Sequence, residues 1–206
     1  MSRLRPAQPA GSAAPSAAGA AQAGAGAAEP GAGAAELGAG AADAGPAARV
    51  LAGQVITLLR ARQQTVAVAE SLTGGLLGGA LTEIPGASEV FRGGVIAYAT
   101  ELKTELLGVP EPLLAARGAV DPDVAAEMAT GVRTRLGASA GLATTGVAGP
   151  DPAEGKKPGT VHIAVSTDGG VVTRALLLPG TREEVRNESV RAALRLLLEG
   201  LREETG

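Results

Sequence analysis

Apolar positions set in abruptly after residue 48 and then follow a readable rhythm. Val50, Leu51, Val55, Leu58 and Leu59 recur at the spacing of one helix face. The run Thr65-Val66-Ala67-Val68-Ala69 has no polar alternation and reads as a strand buried on both faces. A helix is expected from about Thr73 to Glu83, a second strand over Gly93–Tyr98, and a short helix over Glu101–Leu107 that Gly108 and Pro110 stop. Asp121 followed by Pro122 is a cap plus a first-turn proline, so a helix should run from there to about Leu136. Leu142-Ala143-Thr144 is a third apolar strand. Val161, Ile163 and Val165 alternate with His162, Ala164 and Ser166, and after the turn Asp168-Gly169-Gly170 a last strand runs from Val171 to Leu178, which makes the pair a β-hairpin. Thr181 with Glu184 has the capping-box spacing that opens a final helix through Leu198. Strands separated by helices, closed by a hairpin and a helix, predict a three-layer αβα domain with a mixed sheet over residues 49–206.

Residues 1–48 hold 21 Ala and 9 Gly, with Leu4 and Leu37 as the only large aliphatic residues. Such a stretch buries too little surface to offset its ordering entropy, so a disordered low-complexity tail is expected. A unit of Gly-Ala-Gly-Ala-Ala-acid-x repeats over Gly24–Pro30, Gly31–Leu37 and Gly38–Ala44, yet it has glycine where a coiled coil needs large apolar residues. Arg3 and Arg5 lead into Pro, Gly, Ser and Ala rather than a Leu-rich run, unlike a secretory signal, and no apolar run approaches the roughly 20 residues of a membrane helix. A soluble, cytoplasmic protein is expected, without a membrane partner.

Composition removes several chemistries. The chain of 206 residues has no Cys, which excludes disulfides, thiolate metal sites and a cysteine nucleophile, and its single His162 excludes a multi-histidine centre. A net charge of −3 with one Tyr and one Phe supplies neither phosphate contacts nor stacking platforms, so nucleic acid is not an expected partner. Any nucleophile must be Ser, Thr, Lys, Tyr or a carboxylate.

Polar residues gather after the strands: Glu70-Ser71-Leu72-Thr73-Gly74-Gly75 after the first, Tyr98 to Lys103 after the second, Thr144-Thr145-Gly146-Val147-Ala148-Gly149-Pro150 after the third. If those strands are parallel neighbours, the three segments meet where open α/β sheets bind small ligands. Each also has a plain structural reading. Ser71 or Thr73 can cap a helix, and Gly74, Gly75, Gly78 and Gly79 can let it lie close on the sheet. Two glycines in a helix's first turn are costly, however, and ligand approach to backbone N–H groups is one account of them. Lys103 can be a surface residue, but the chain has only three lysines against fifteen arginines, and lysine is the cation that can lose its proton. His162 is explained by strand alternation, and Lys156 and Lys157 by a solvated loop. Arg182 and Arg186 are open between pairing with nearby glutamates and facing an anionic ligand.

Several of these segments resemble a known family. Ala69-Glu70-Ser71-Leu72-Thr73-Gly74-Gly75, Pro85-Gly86-Ala87-Ser88, Gly93-Gly94-Val95-Ile96-Ala97-Tyr98, Thr144 to Pro150 and Gly159-Thr160-Val161 are similar to the motifs of the CinA C-terminal domain family, over essentially all of residues 49–200. Leu72 stands where that family often has cysteine, and the loop Asp151 to Pro158 departs from its Gly-rich loop. The characterised members are nicotinamide mononucleotide deamidases of the PncC type. The resemblance implies an amidohydrolase that converts the carboxamide of nicotinamide mononucleotide to nicotinic acid mononucleotide and ammonia. It implies Ser71 as nucleophile, Lys103 as base, and Tyr98 and Thr145 as further active-site residues. Thr73 and Arg182 would bind substrate, with backbone N–H groups of Gly74, Gly75 or Gly146 receiving the oxyanion. A lysine base requires a pKa below the usual value of about 10.4. The resemblance implies no metal and no cofactor, and a homo-oligomer and a stand-alone deamidase, without the nucleotide-processing domain of longer relatives, are also implied. The contrasting expectation is a non-catalytic nucleotide-binding or interaction module of the competence or damage-inducible type.

Overall fold

The computed structural model describes residues 45–203. The tail expected over residues 1–48 therefore lies outside the described residues as far as residue 44. The remainder of that span is already folded, because helix α1 (Pro46–Arg62) starts with a proline in its first turn and buries Ala48. Then come β1 (Val66–Glu70), α2 (Leu76–Thr82), a 3₁₀ turn at Ala87–Glu89, β2 (Phe91–Ile96), α3 (Thr100–Leu107), α4 (Glu111–Arg117), α5 (Pro122–Leu136), β3 (Ala140–Gly146), β4 (Thr160–Thr167), β5 (Gly170–Leu177) and α6 (Arg182–Glu203).

The strands form one mixed sheet in the order β2-β1-β3-β4-β5. β1 runs parallel to both β2 and β3, with Glu70 opposite Ile96 and Thr144, whereas β4 is antiparallel to β3 and to β5. The carboxyl ends of β1, β2, β3 and β5 therefore share one end of the sheet, and the β4–β5 turn lies at the other. Alternation along the strands divides the core. Val66, Val68, Leu142, Ile163 and Val165 face α1, α2 and α6, where they join buried Leu59, Leu77, Leu194 and Leu197; each such leucine contributes about 1.5–3 kcal/mol by leaving water. The opposite face offers only Ala67, Ala69, Ala143 and Ala164 to α5 and α3. Small residues let α5 lie close: a Cβ at Gly141 would collide with the Ala129 carbonyl oxygen.

The Asp121 carboxylate accepts from the Asp123 N–H at 2.9 Å, and Thr181 and Glu184 exchange bonds, so both caps form as their spacing predicts. The helix expected from Thr73 instead begins at Leu76. Gly74 and Gly75 have φ of 57° and 98°, a left-handed path that belongs to a turn and favours glycine. α4 is an addition to the expected elements. It fully buries no side chain, only half-burying the adjacent Leu113 and Leu114, and carries Pro112 in its first turn, so it has no apolar period to read.

Candidate active site

Ser71 follows β1 directly and sits on the Ser71–Gly75 turn, held from three directions. Its N–H donates to the Thr144 carbonyl at 3.0 Å, extending the β1–β3 pairing by one residue. The buried Glu70 carboxylate turns back under the start of α2 and accepts from the N–H groups of Gly75, Leu77 and Gly78 at 2.9, 3.1 and 2.8 Å. From α6, the Arg186 guanidinium donates to the carbonyls of Leu72 and Thr73 at 3.0 and 2.9 Å. A carboxylate thus satisfies the orphan donors of the helix start, and a cation satisfies the carbonyls of the turn before it.

Lys103 reaches the same point from α3. It is 1% exposed, and its Nζ lies 3.3 Å from Ser71 Oγ and 2.7 Å from the Ala97 carbonyl oxygen. Both partners are uncharged. Burial pushes the ammonium pKa below its ordinary value, against the opposing pull of the Glu154 and Glu101 carboxylates. α3 is held in place by the larger helix beneath it: Gly131 of α5 packs on the Leu107 carbonyl so closely that a Cβ there would overlap it.

A cleft of about 220 Å³ opens over this pair, bounded by Leu72, Tyr98, Thr145 to Gly149, Asp151, Glu154 and Arg182. Its few polar groups converge on a concave space, as in small-molecule sites, though its volume is below the usual range of about 300–1,000 Å³. Tyr98 stands at the rim, 61% exposed, and its hydroxyl accepts from Arg182 Nη2 at 3.3 Å rather than touching Ser71 or Lys103. Arg182 also donates to the Gly149 carbonyl at 2.9 Å, so its guanidinium is fixed at the mouth. The structure therefore gathers Ser71, Lys103, Tyr98, Thr145, Gly146 and Arg182 at one cleft.

Several of the expected residues make other contacts. The Thr145 hydroxyl donates to the Ala119 carbonyl at 2.7 Å, so it braces the α4–α5 connection and orients neither Ser71 nor Lys103. Thr73 is fully buried beneath the turn and shares a 2.8 Å hydrogen bond with the Thr144 hydroxyl, away from the substrate space. The Gly74 N–H donates to the Ser71 carbonyl and that of Gly75 to Glu70, so both are already engaged. The two glycines are there for the shape of the turn. His162 is buried opposite Thr145 outside the cleft lining, and its Nδ1 has no partner among the described residues. Burial lowers its pKa, with Asp121 opposing.

Three contributors had no assigned role in the sequence. Glu70 was visible only as part of a motif, and Arg186 only as one of two alternatives for a basic helix start. Glu154 sits in the loop that departs most from the family pattern. Its spacing from Lys103 in the chain carries no signal, because the fold of the loop alone brings its charge within range of the lysine.

The CinA C-terminal domain family matches residues 48–201. A CinA-like protein of Frankia casuarinae is 58% identical over 147 residues, covering 71% of this chain and 34% of its own length. A putative competence-damage inducible protein of Desulforamulus reducens is 52% identical over 132 residues, 64% of this chain and 32% of its own. The chain thus spans about a third of the length of these curated relatives. Among solved structures, a competence/damage inducible protein from Agrobacterium tumefaciens superposes with a TM-score of 0.73 at 37% identity, over 77% of this chain and 97% of that one. A CinA superfamily protein from Klebsiella pneumoniae gives 0.74 at 34% identity, over 76% and 98%. With the family match spanning three quarters of the sequence and the fold shared at this level of identity, the chain belongs to the CinA C-terminal domain family.

Proposed function

We propose that this domain is an amidohydrolase acting on the carboxamide of nicotinamide mononucleotide, with Ser71 as nucleophile and Lys103 as general base. The observation that carries the reading is the buried Lys103 Nζ, 3.3 Å from Ser71 Oγ with its proton affinity reduced. A neutral amine keeps two N–H groups, one of which holds the 2.7 Å bond to the Ala97 carbonyl while the lone pair faces the serine. Lys103 takes the Ser71 proton as Oγ adds to the carboxamide carbon, giving a tetrahedral oxyanion. Since the Gly74 and Gly75 donors are engaged, and the Val147 N–H donates to the Thr160 carbonyl, the oxyanion falls to the backbone N–H groups of Gly146, Ala148 and Gly149 along the cleft wall. Collapse breaks the C–N bond as the Lys103 ammonium returns its proton to the leaving nitrogen, releasing ammonia. Water, deprotonated by Lys103, then attacks the Ser71 ester, and as the bond to Oγ breaks the Lys103 ammonium returns its proton to Ser71 Oγ and nicotinic acid mononucleotide leaves. Arg182 at the mouth binds the phosphate, with Tyr98 as its neighbour.

Incubation with nicotinamide mononucleotide should release ammonia stoichiometrically with nicotinic acid mononucleotide. Ser71→Ala should lower turnover by about 10⁴-fold or more while leaving substrate binding measurable, because only the covalent route is lost. Substantial activity in the alanine variant would instead mean that an activated water attacks directly. Tight nucleotide binding by the native chain without any ammonia would favour a non-catalytic module.

A further inference from the structure

One acidic residue in the cleft has a backbone setting that its loop alone does not explain. Ala153 and Lys156 exchange backbone hydrogen bonds of 3.2 and 2.9 Å across a two-residue turn whose central residues, Glu154 and Gly155, have φ of 52° and 70°. Asn or Gly is the inexpensive choice at the first of these positions, and a glutamate there is strained. The turn is clipped to the α4–α5 connection on both sides: Glu154 Oε2 accepts from the Val120 N–H at 3.1 Å, and Lys156 Nζ donates to the Arg117 carbonyl at 3.2 Å. Gly118 completes the seat, since a Cβ at that position would collide with Glu154 Oε2. A carboxylate is thus fixed on the wall of the cleft that contains Ser71 and Lys103. Asp151 also lines this cleft, but no side-chain bond fixes it among the described residues.

We propose that Glu154 is the specificity-determining residue for a positively charged ring beside the scissile amide. The assignment rests on the amidase reading above. In nicotinamide mononucleotide the carboxamide hangs from a pyridinium, so an amide carbon at Ser71 puts a delocalised positive charge a few ångströms away, between Arg182 at the mouth and the Glu154 wall. An anchored carboxylate attracts that ring and discriminates against an uncharged one. The same contact links binding to chemistry. In the free protein the Glu154 charge favours the ammonium form of Lys103, and a cationic ring placed against Glu154 cancels that influence and favours the neutral base.

The test uses the Ser71→Ala chain, which retains the cleft without turnover, and compares nicotinamide mononucleotide with its 1,4-dihydro form, whose ring is uncharged. Adding Glu154→Gln, which keeps an acceptor for the Val120 N–H, should weaken the cationic ligand about tenfold and change the neutral one less than about twofold in calorimetric titrations. Glu154→Asp should retain the preference for the cationic ring. Equal weakening of both ligands, or of neither, overturns the assignment and leaves the amidase reading standing; failure of both to bind the Ser71→Ala chain overturns both. With Ser71 restored, Glu154→Gln should also move the rising limb of the kcat/KM profile to lower pH, while Glu101 on α3 keeps its influence on Lys103 and the other titratable groups lining the cleft, Asp151, Tyr98 and Arg182, are unchanged. An unmoved limb argues equally against the proposal.

Discussion

At the scale of single residues, Lys103 concentrates the chemistry. A buried ammonium hydrogen-bonded only to neutral oxygens is costly, and that cost makes its proton easier to release. Arginine in its place keeps its charge at any working pH, so Lys103→Arg should be nearly as damaging as Lys103→Ala, each lowering kcat by about 10²–10⁴-fold. Near-native turnover in the arginine variant would reassign Lys103 to stabilising negative charge. The sign of the pH dependence follows from the proposed mechanism: its base is the deprotonated lysine, so kcat/KM should rise with pH through the lysine's pKa. Because burial lowers that pKa, the plateau should be reached below the range of a solvated lysine. A limb at the ordinary lysine value would contradict the reading. Ser71 and Lys103 stood out in the sequence through the rarity of lysine and the position after each strand. The tasks of Thr73 and Thr145 did not, because a threonine's partner is chosen by packing, here Thr144 and Ala119.

Among the elements, the turn between β1 and α2 decides whether the serine is aimed. Glu70 supplies the acceptors for three N–H groups at the start of a seven-residue helix that has no side-chain cap of its own. Glu70→Ala should cost about 2–4 kcal/mol in urea unfolding, because it strands those donors, and Glu70→Gln should cost less, since one amide oxygen remains an acceptor. A neutral result for the alanine variant would mean that water replaces the carboxylate freely. Periodicity located α1, α3, α5, α6 and the β4–β5 hairpin. It missed where α2 begins because the decisive information was the left-handed path of Gly74 and Gly75, and it missed α4 because that helix only half-buries two adjacent leucines, Leu113 and Leu114.

Seen whole, the molecule converges its chemistry on the end of the sheet where β1, β2, β3 and β5 finish, and α6 starts there because the hairpin returns the chain to that end. This convergence was legible from the order of strands and loops. The clamp by Arg186 and the wall by Glu154 were not, since residues 114 and 34 positions from their hydrogen-bond partners leave no local pattern. Every cleft residue falls between Ser71 and Arg182. Given the Ala/Gly composition of the preceding segment, deletion of residues 1–44 should leave turnover and Tm unchanged. A large loss of either would show that this segment contributes to the domain. The exposed turn at Asp168 and Gly169, tied to α5 by the Arg133–Asp168 ion pair, lies at the end of the sheet remote from the cleft. A surface tether or fusion partner attached through that turn leaves the cleft pointing outward into solution, which makes the β4–β5 hairpin the natural handle for immobilising this protein in working form.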